Sequence, residues 1–329
     1  MSKRKISQHQ QQRILRKQET YQTAIRSSSN DDLQSGLVIA RFGPQALIED
    51  AQGQLARCAI RPNIDSLTAG DRVIFQTQDA HHGVIVSRTE RQSVLGRPDA
   101  RGHFKAMAAN ITQILIVVAP LPAISWLLLD SYLIMADYLK IPACIVLNKT
   151  DLVCESILQT LTKDYVPLGY SLILHAQTEG HQSSLQQQLQ HEVSVFVGQS
   201  GVGKSSLIAR VLPEHAHTIQ TQAISSASQL GCHTTRNARY YHLPTGGAVI
   251  DSPGVRELSL WHMSATDLAY GYREFIPWLG QCKFRNCEHQ TSPGCAIVAA
   301  VKKQLISSAR YENYVKIANN RGSLRCSDV

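Results

Sequence analysis

"VSVFVGQSGVGKSSLIARVL", residues 193–212, places an apolar run, a glycine-punctuated loop and the opening of a helix in direct succession. That is the context a phosphate loop requires. Glycines let consecutive backbone N–H groups turn inward, so Gly198, Gln199, Ser200, Gly201, Val202 and Gly203 can cradle phosphate oxygens at a helix N-terminus. Lys204 is expected to reach the β- and γ-phosphates and Ser205 to ligate Mg²⁺, with Ser206 completing the nucleotide-binding set. A strand feeding such a loop implies a P-loop α/β domain around it.

The loop does not choose the base. "VLNKTD", residues 146–151, can do so, because it follows the apolar run "PACIVL" and so sits at a strand's C-terminal end. The Asp151 carboxylate can accept from both N1–H and the N2 amino group of guanine, a pair that adenine does not offer there. Asn148 can hold the base edge and neighbouring backbone, the Lys149 stem can lie along the ring, and Thr150 lies between Lys149 and Asp151. "VIDSPG", residues 249–254, adds Asp251 as a Mg²⁺ holder through water and the Gly254 amide as a γ-phosphate sensor. The base reader thus precedes the phosphate loop, whereas GTPases normally run the other way. Binding loops of a doubly wound sheet gather at strand carboxyl ends, and the ligand senses position in space, not chain order. The order here is that of a circularly permuted GTPase.

Outward from this core, "ITQILIVVA", "PACIVLN", "YSLILHA", "VSVFVG" and "GAVIDSPG" read as buried parallel strands. Helix-length segments such as "SWLLLDSYLIMADYLK" and "SSLQQQLQ" separate the earlier ones, giving a doubly wound domain over 105–276. Upstream, "GLVIARF", "QALIED", "QLARCAI", "DRVIFQT" and "HGVIVSR" are short β-like runs separated by turn residues. They predict an all-β barrel over 36–104, of the five-stranded OB type. Residues 1–35 form a basic, polar arm and linker. Lys3, Arg4, Lys5, Arg13, Arg16, Lys17 and Arg26 stand against Glu19 alone, so most of the chain's net charge of +8 lies there. Such an arm suits a polyanion, and RNA more than membrane, because it has few apolar anchors.

The longest apolar stretch, residues 114–129, is broken by Pro120 and Pro122 and is too short to span a bilayer. No secretory signal is visible, so a cytoplasmic protein is expected. Of the eight cysteines, Cys282, Cys287 and Cys295 crowd one window with His289, as Cys-x4-Cys-x-His-x5-Cys. Three thiolates and an imidazole make a closed tetrahedral set suited to one structural Zn²⁺, in a helical C-terminal domain over 277–329.

With these motifs in hand, together with "GDRV" at Gly70, "LGRPD" at Leu95, "AANITQILIV", "GCHTT" at Gly231 and "DSPGVREL", the chain resembles the small ribosomal subunit biogenesis GTPase family, RsgA or YjeQ. The resemblance covers nearly the whole length. It implies an OB barrel, a permuted GTPase domain and a zinc domain, in a monomer that binds small-subunit rRNA late in maturation. It further implies that GTP is hydrolysed to GDP and phosphate faster on the ribosome; because the permuted order leads switch II directly into the zinc domain, hydrolysis is expected to reposition that domain and drive release. Ras-type GTPases place a water-orienting Gln after the switch II glycine; Val255 stands here and can neither donate nor accept. The resemblance implies that His233 aligns the water instead, while Thr234 or Thr235 closes over Mg²⁺. Two positions depart from the family pattern: Arg236 replaces a third Thr, and His175-Ala176 replaces the guanine-supporting Ser-Ala. The alternative reading is an rRNA-binding scaffold with a weak or regulatory nucleotide site.

Overall fold

The computed structural model describes residues 33–64, 66–79, 81–98, 103–176, 182–215, 238–252 and 263–320. The basic arm, His233, Thr234, Thr235, Arg236, Gly254 and Val255 lie outside the described residues. The chain divides into two compact units, one of residues 1–111, 234–241 and 250–253 and the other of residues 112–233, 242–249 and 254–329.

In the first unit, β1 (Leu33–Phe42), β2 (Gln45–Asp50), β3 (Leu55–Ile60), β4 (Arg72–Thr77) and β5 (His82–Arg88) form a barrel. The order β1-β2-β3-β5-β4 closes through β1–β4 pairing, and β3 runs parallel to β5 while the other neighbours are antiparallel. This is the five-stranded OB arrangement. Inward positions on alternating strands put Val38, Ile48, Cys58, Val73, Phe75 and Ile85 into one core. Full burial of each aliphatic or aromatic side chain there contributes about 1.5–3 kcal/mol. The "GDRV" turn is fastened from beneath. Asp71, fully buried, accepts from Thr68 N at 2.8 Å and from Arg91 Nε at 2.6 Å. After the barrel, β6 (Val94–Pro98) and β7 (Phe104–Ala109) pair as a hairpin. It spans the boundary between residues 104 and 105 expected from the sequence.

In the second unit, β8 (Gln113–Val118), β9 (Ala143–Asn148), β10 (Ser171–His175), β11 (Val193–Val197) and the first residues of β13 (Ala248–Asp251) form the parallel sheet, in the order β10-β9-β8-β11-β13. β12 (Arg239–His242), which falls in the first unit up to Tyr241, precedes β13 in the chain. The chain runs outward from β8 to β9 and β10, then returns to β11 on the other side of β8. That reversal is the topological switch point, and the crevice beside it opens at the carboxyl ends of β8 and β11. Among the described residues, α1 (Trp126–Tyr138), α2 (Glu155–Asp164), α3 (Gln182–Leu189) and α4 (Lys204–Val211) intervene.

The C-terminal part contains α5 (Ala265–Tyr270), a 3-10 turn at Arg273–Trp278, α6 (Ala296–Lys302) and α7 (Ser308–Asn319). Ser264 and Asp267 form a capping box that starts α5. Tyr272, Phe275 and Tyr314 pack ring against ring, with centroids 4.9–5.5 Å apart. α1 reads apolar nearly all round because both of its sides are covered. Its Asp130 is fully buried and takes Arg310 Nη1 at 2.5 Å and Asn313 Nδ2 at 2.7 Å from α7. Arg310 also pairs with Glu274 and lies over the Tyr165 ring. Two helical turns along, Asp137 takes a bidentate Arg273, from Nε to Oδ2 at 3.0 Å and from Nη2 to Oδ1 at 2.6 Å. No helix among the described residues is long and apolar enough to cross a membrane.

Candidate nucleotide site and metal centre

The phosphate loop leaves β11 at Gly198, whose φ of +135° and close approach to β8 admit only glycine. A Cβ there would stand 2.2 Å from Val117 O. Lys204, buried at the start of α4, turns its ammonium back onto the loop, donating to Gly198 O at 2.7 Å and to Gln199 O. Gln199 Oε1 accepts from Ser125 N at 3.1 Å, which ties the loop to the residue capping α1. Ser205 follows Lys204 in the first turn of α4. Asp251 ends β13.

The "VLNKTD" segment, expected to read the base, leaves β9, two strands from β11, and comes directly against the phosphate loop. Asn148, buried, donates from Nδ2 to Val202 O at 2.8 Å. Lys149, at φ +60°, donates to Gly201 O and Leu121 O, both at 2.8 Å. Gly203 is what permits this closeness, since a Cβ there would lie 2.4 Å from Asn148 Nδ2. Thr150 N donates to His175 O at 3.2 Å, and Asp151 is exposed beyond it. Residues from "VLNKTD" and "GQSGVGKS" therefore share one hydrogen-bonded surface. The arrangement can hold one elongated ligand, with an anionic end on the glycine nest and Lys204 and a donor-bearing ring toward Asp151.

Motif reading did not single out the segment joining β8 to α1. Its Leu121 carbonyl and Ser125 amide hold Lys149 and Gln199. The two prolines at a strand's C-terminal end were the available signal, since they mark a turn at the crevice.

The four side chains of the Cys/His window converge. Their ligand atoms all lie within 4.8 Å of one another, with Cys282 Sγ 3.5 Å from His289 Nδ1, Cys295 Sγ 3.7 Å from it, and the two sulfurs 3.9 Å apart. Tetrahedral coordination with M–S near ~2.3 Å and M–N near ~2.0 Å requires separations of roughly 3.5–3.8 Å, so the set fits one ion. The backbone around it is held by α7: Tyr311 OH donates to Gln290 O at 2.8 Å and Tyr314 OH to Glu288 O at 2.9 Å.

Comparison with known proteins points one way. The RsgA GTPase family profile matches residues 88–261. A relative from Actinobacillus pleuropneumoniae named small ribosomal subunit biogenesis GTPase RsgA is 43% identical over 333 residues, covering 98% of this chain and 96% of the relative. One of the same name from Hahella chejuensis is 41% identical over 348 residues, covering 100% and 99%. The crystal structure of YjeQ from Thermotoga maritima superposes with a TM-score of 0.70 at 28% identity, over 89% of this chain and all of that one. That of YloQ, described as a circularly permuted GTPase, gives 0.69 at 25%, over 89% and 96%.

Proposed function

Because the chain belongs to the RsgA GTPase family and is a GTP-hydrolysing enzyme, we propose that it is a cytoplasmic, monomeric factor for late maturation of the small ribosomal subunit. It binds subunit rRNA, hydrolyses GTP to GDP and phosphate faster when subunit-bound, and uses hydrolysis to leave. The observation that carries the nucleotide reading is the 2.8 Å bond from Asn148 Nδ2 to Val202 O. It brings the base reader and the phosphate loop within one ligand's length despite their inverted chain order.

In this reading the loop amides of Gly198 to Gly203 and the Lys204 ammonium take the β- and γ-phosphates, compensating charge that spreads over phosphoryl oxygens as the β–γ bridge breaks. Asp151 selects guanine, while Asn148, Lys149 and Thr150 fix the strand end that carries it. Mg²⁺, held by Ser205 with Asp251 and Thr234 or Thr235 as the motifs imply, would neutralise phosphate charge. Val255 cannot orient a water, so the free enzyme is slow, and His233 supplies that alignment on the subunit. The Cys282, Cys287, His289, Cys295 set holds one structural Zn²⁺, because it is closed and all four donors suit that ion.

The test is GTP turnover with and without purified small subunits, repeated with His233→Ala. Strong stimulation of the native protein, mostly lost in the variant, is expected. Equal rates with and without subunits would overturn the proposal. Tight subunit binding without measurable GTP affinity would instead favour the scaffold reading.

A further inference from the structure

His175 is the last residue of β10 and the register partner of Asn148 on β9. Both side chains are buried, with 2% and 4% exposure. His175 Nδ1 stands 2.9 Å from Asn148 Oδ1, while Asn148 Nδ2 donates to Val202 O at 2.8 Å. The second bond settles the orientation of the amide: its nitrogen faces the phosphate loop and its oxygen faces the imidazole. A carboxamide oxygen only accepts, so Nδ1 must carry a proton. The neutral Nδ1–H tautomer and the imidazolium both satisfy this. The chain on either side is also fastened, through Thr150 N to His175 O and Arg210 Nη1 to Ala176 O at 3.4 Å.

We propose that His175 is a specificity-determining positioning residue: its Nδ1–H clamps the Asn148 amide, and thereby sets the strand end that presents Asp151 to the guanine base. Asn148 is held on one side by β10 and on the other by the phosphate loop. Without the imidazole donor its oxygen is a buried acceptor lacking that partner, and the amide is free to turn away from Val202. The inference rests on the guanine-site reading above. It also changes the meaning of the His175 departure, which becomes a substitute clamp and not a damaged loop.

The experiment titrates a fluorescent GDP analogue into the native protein and into His175→Ala, His175→Asn and His175→Gln, with thermal unfolding of each. Loss of one buried hydrogen bond to an unsatisfied acceptor predicts about tenfold weaker binding for Ala. Asn places an N–H near the Nδ1 position and should recover to within about threefold of native; Gln places one near Nε2 and should stay close to Ala. A role in packing alone would not separate Asn from Gln in this way. Native-like affinity in Ala, or equal affinities in Asn and Gln, overturns the inference; the second comparison stands even where Ala does not fold. Asp151→Asn, titrated with guanosine and xanthosine diphosphates, checks the underlying reading separately. Preference should pass to xanthosine, whose C2 oxygen needs a donor, and if it does not, the base-reading assignment fails whatever His175 does.

Discussion

Gly203 sits where the proposed base reader comes against the proposed phosphate loop. A methyl there would fall 2.4 Å from Asn148 Nδ2 and force φ +99° on a side-chain-bearing residue, a conformation costing about 1–3 kcal/mol before any clash. Gly203→Ala should therefore weaken guanine-nucleotide binding by more than about tenfold in a fluorescent-GDP titration. Gly53→Ala is the control. That turn glycine has φ +79° but nothing within 4 Å of an added Cβ, so it should cost a little stability and leave affinity alone. Matching affinities in the two variants would show that closeness to Asn148 is irrelevant. Asp130 makes a different kind of demand. Burial pushes its carboxyl up to about 6, with Glu274 adding to that push while Arg310, Asn313 and Tyr165 oppose it. Its folded pKa thus lies above an unfolded value near ~3.9, so the fold holds this proton more tightly than the open chain does. The resulting stability is fully present below about pH 4 and is lost as pH rises through about 6. Between pH 5 and 7 the loss is about 1 kcal/mol. Urea unfolding of the native protein and Asp130→Asn at both pH values should show their stability difference narrowing by that amount. A difference that stays constant would mean that Asp130 is already ionised at pH 5.

Helix α1 joins two ends of the second unit. Its capping residue, Ser125, touches the phosphate loop through Gln199, and its buried Asp130 and half-buried Asp137 receive Arg310 and Arg273 from the C-terminal part. The metal loop hangs from the same support, because α7 carries both Arg310 and the tyrosines that bond the loop carbonyls. Removing Zn²⁺ should unfold the segment around Cys282–Cys295 first. Treatment with a chelator is expected to release one equivalent of zinc and to speed hydrogen exchange in residues 282–295, with the barrel strands unchanged. Unaltered exchange after complete zinc release would remove the structural role. The metal set was legible in advance because its four ligands lie within fourteen residues of one another. Barrel strands were legible for a related reason, since alternation and turn residues act locally. The hairpin β6–β7 was not, because "FKAMAA" lacks the β-branched residues that mark a strand and gains its place from pairing. Arg310 and Asp130 stand 180 residues apart. An acidic residue inside an apolar helix announces that it has a partner but cannot say which. The clamp on Asn148 escaped for the same reason, since only strand order brings β10 beside β9.

Across the chain as a whole, the net charge is concentrated in one segment. Seven cations stand against one carboxylate in residues 1–26, leaving the remainder at about +2. For a partner such as rRNA, each phosphate neutralised releases condensed counterions, so the arm should show itself as salt dependence more than as a change in the chemical step. Deleting residues 1–26 is expected to flatten the plot of log affinity against log salt for small-subunit binding. If most of the seven cations meet phosphate, the change in slope is several units, at about 0.7–0.9 per contact. Subunit-independent GTP turnover should be unaffected, because the arm contributes none of the groups assigned to the nucleotide. Anionic vesicles give the contrasting arm of the experiment: the full-length chain should bind them far less tightly than the subunit, since the arm has few apolar residues to insert. A slope unchanged by the deletion would assign the subunit contacts to the folded domains alone. The arm's positive charge would then be a property of the free protein and not of the complex.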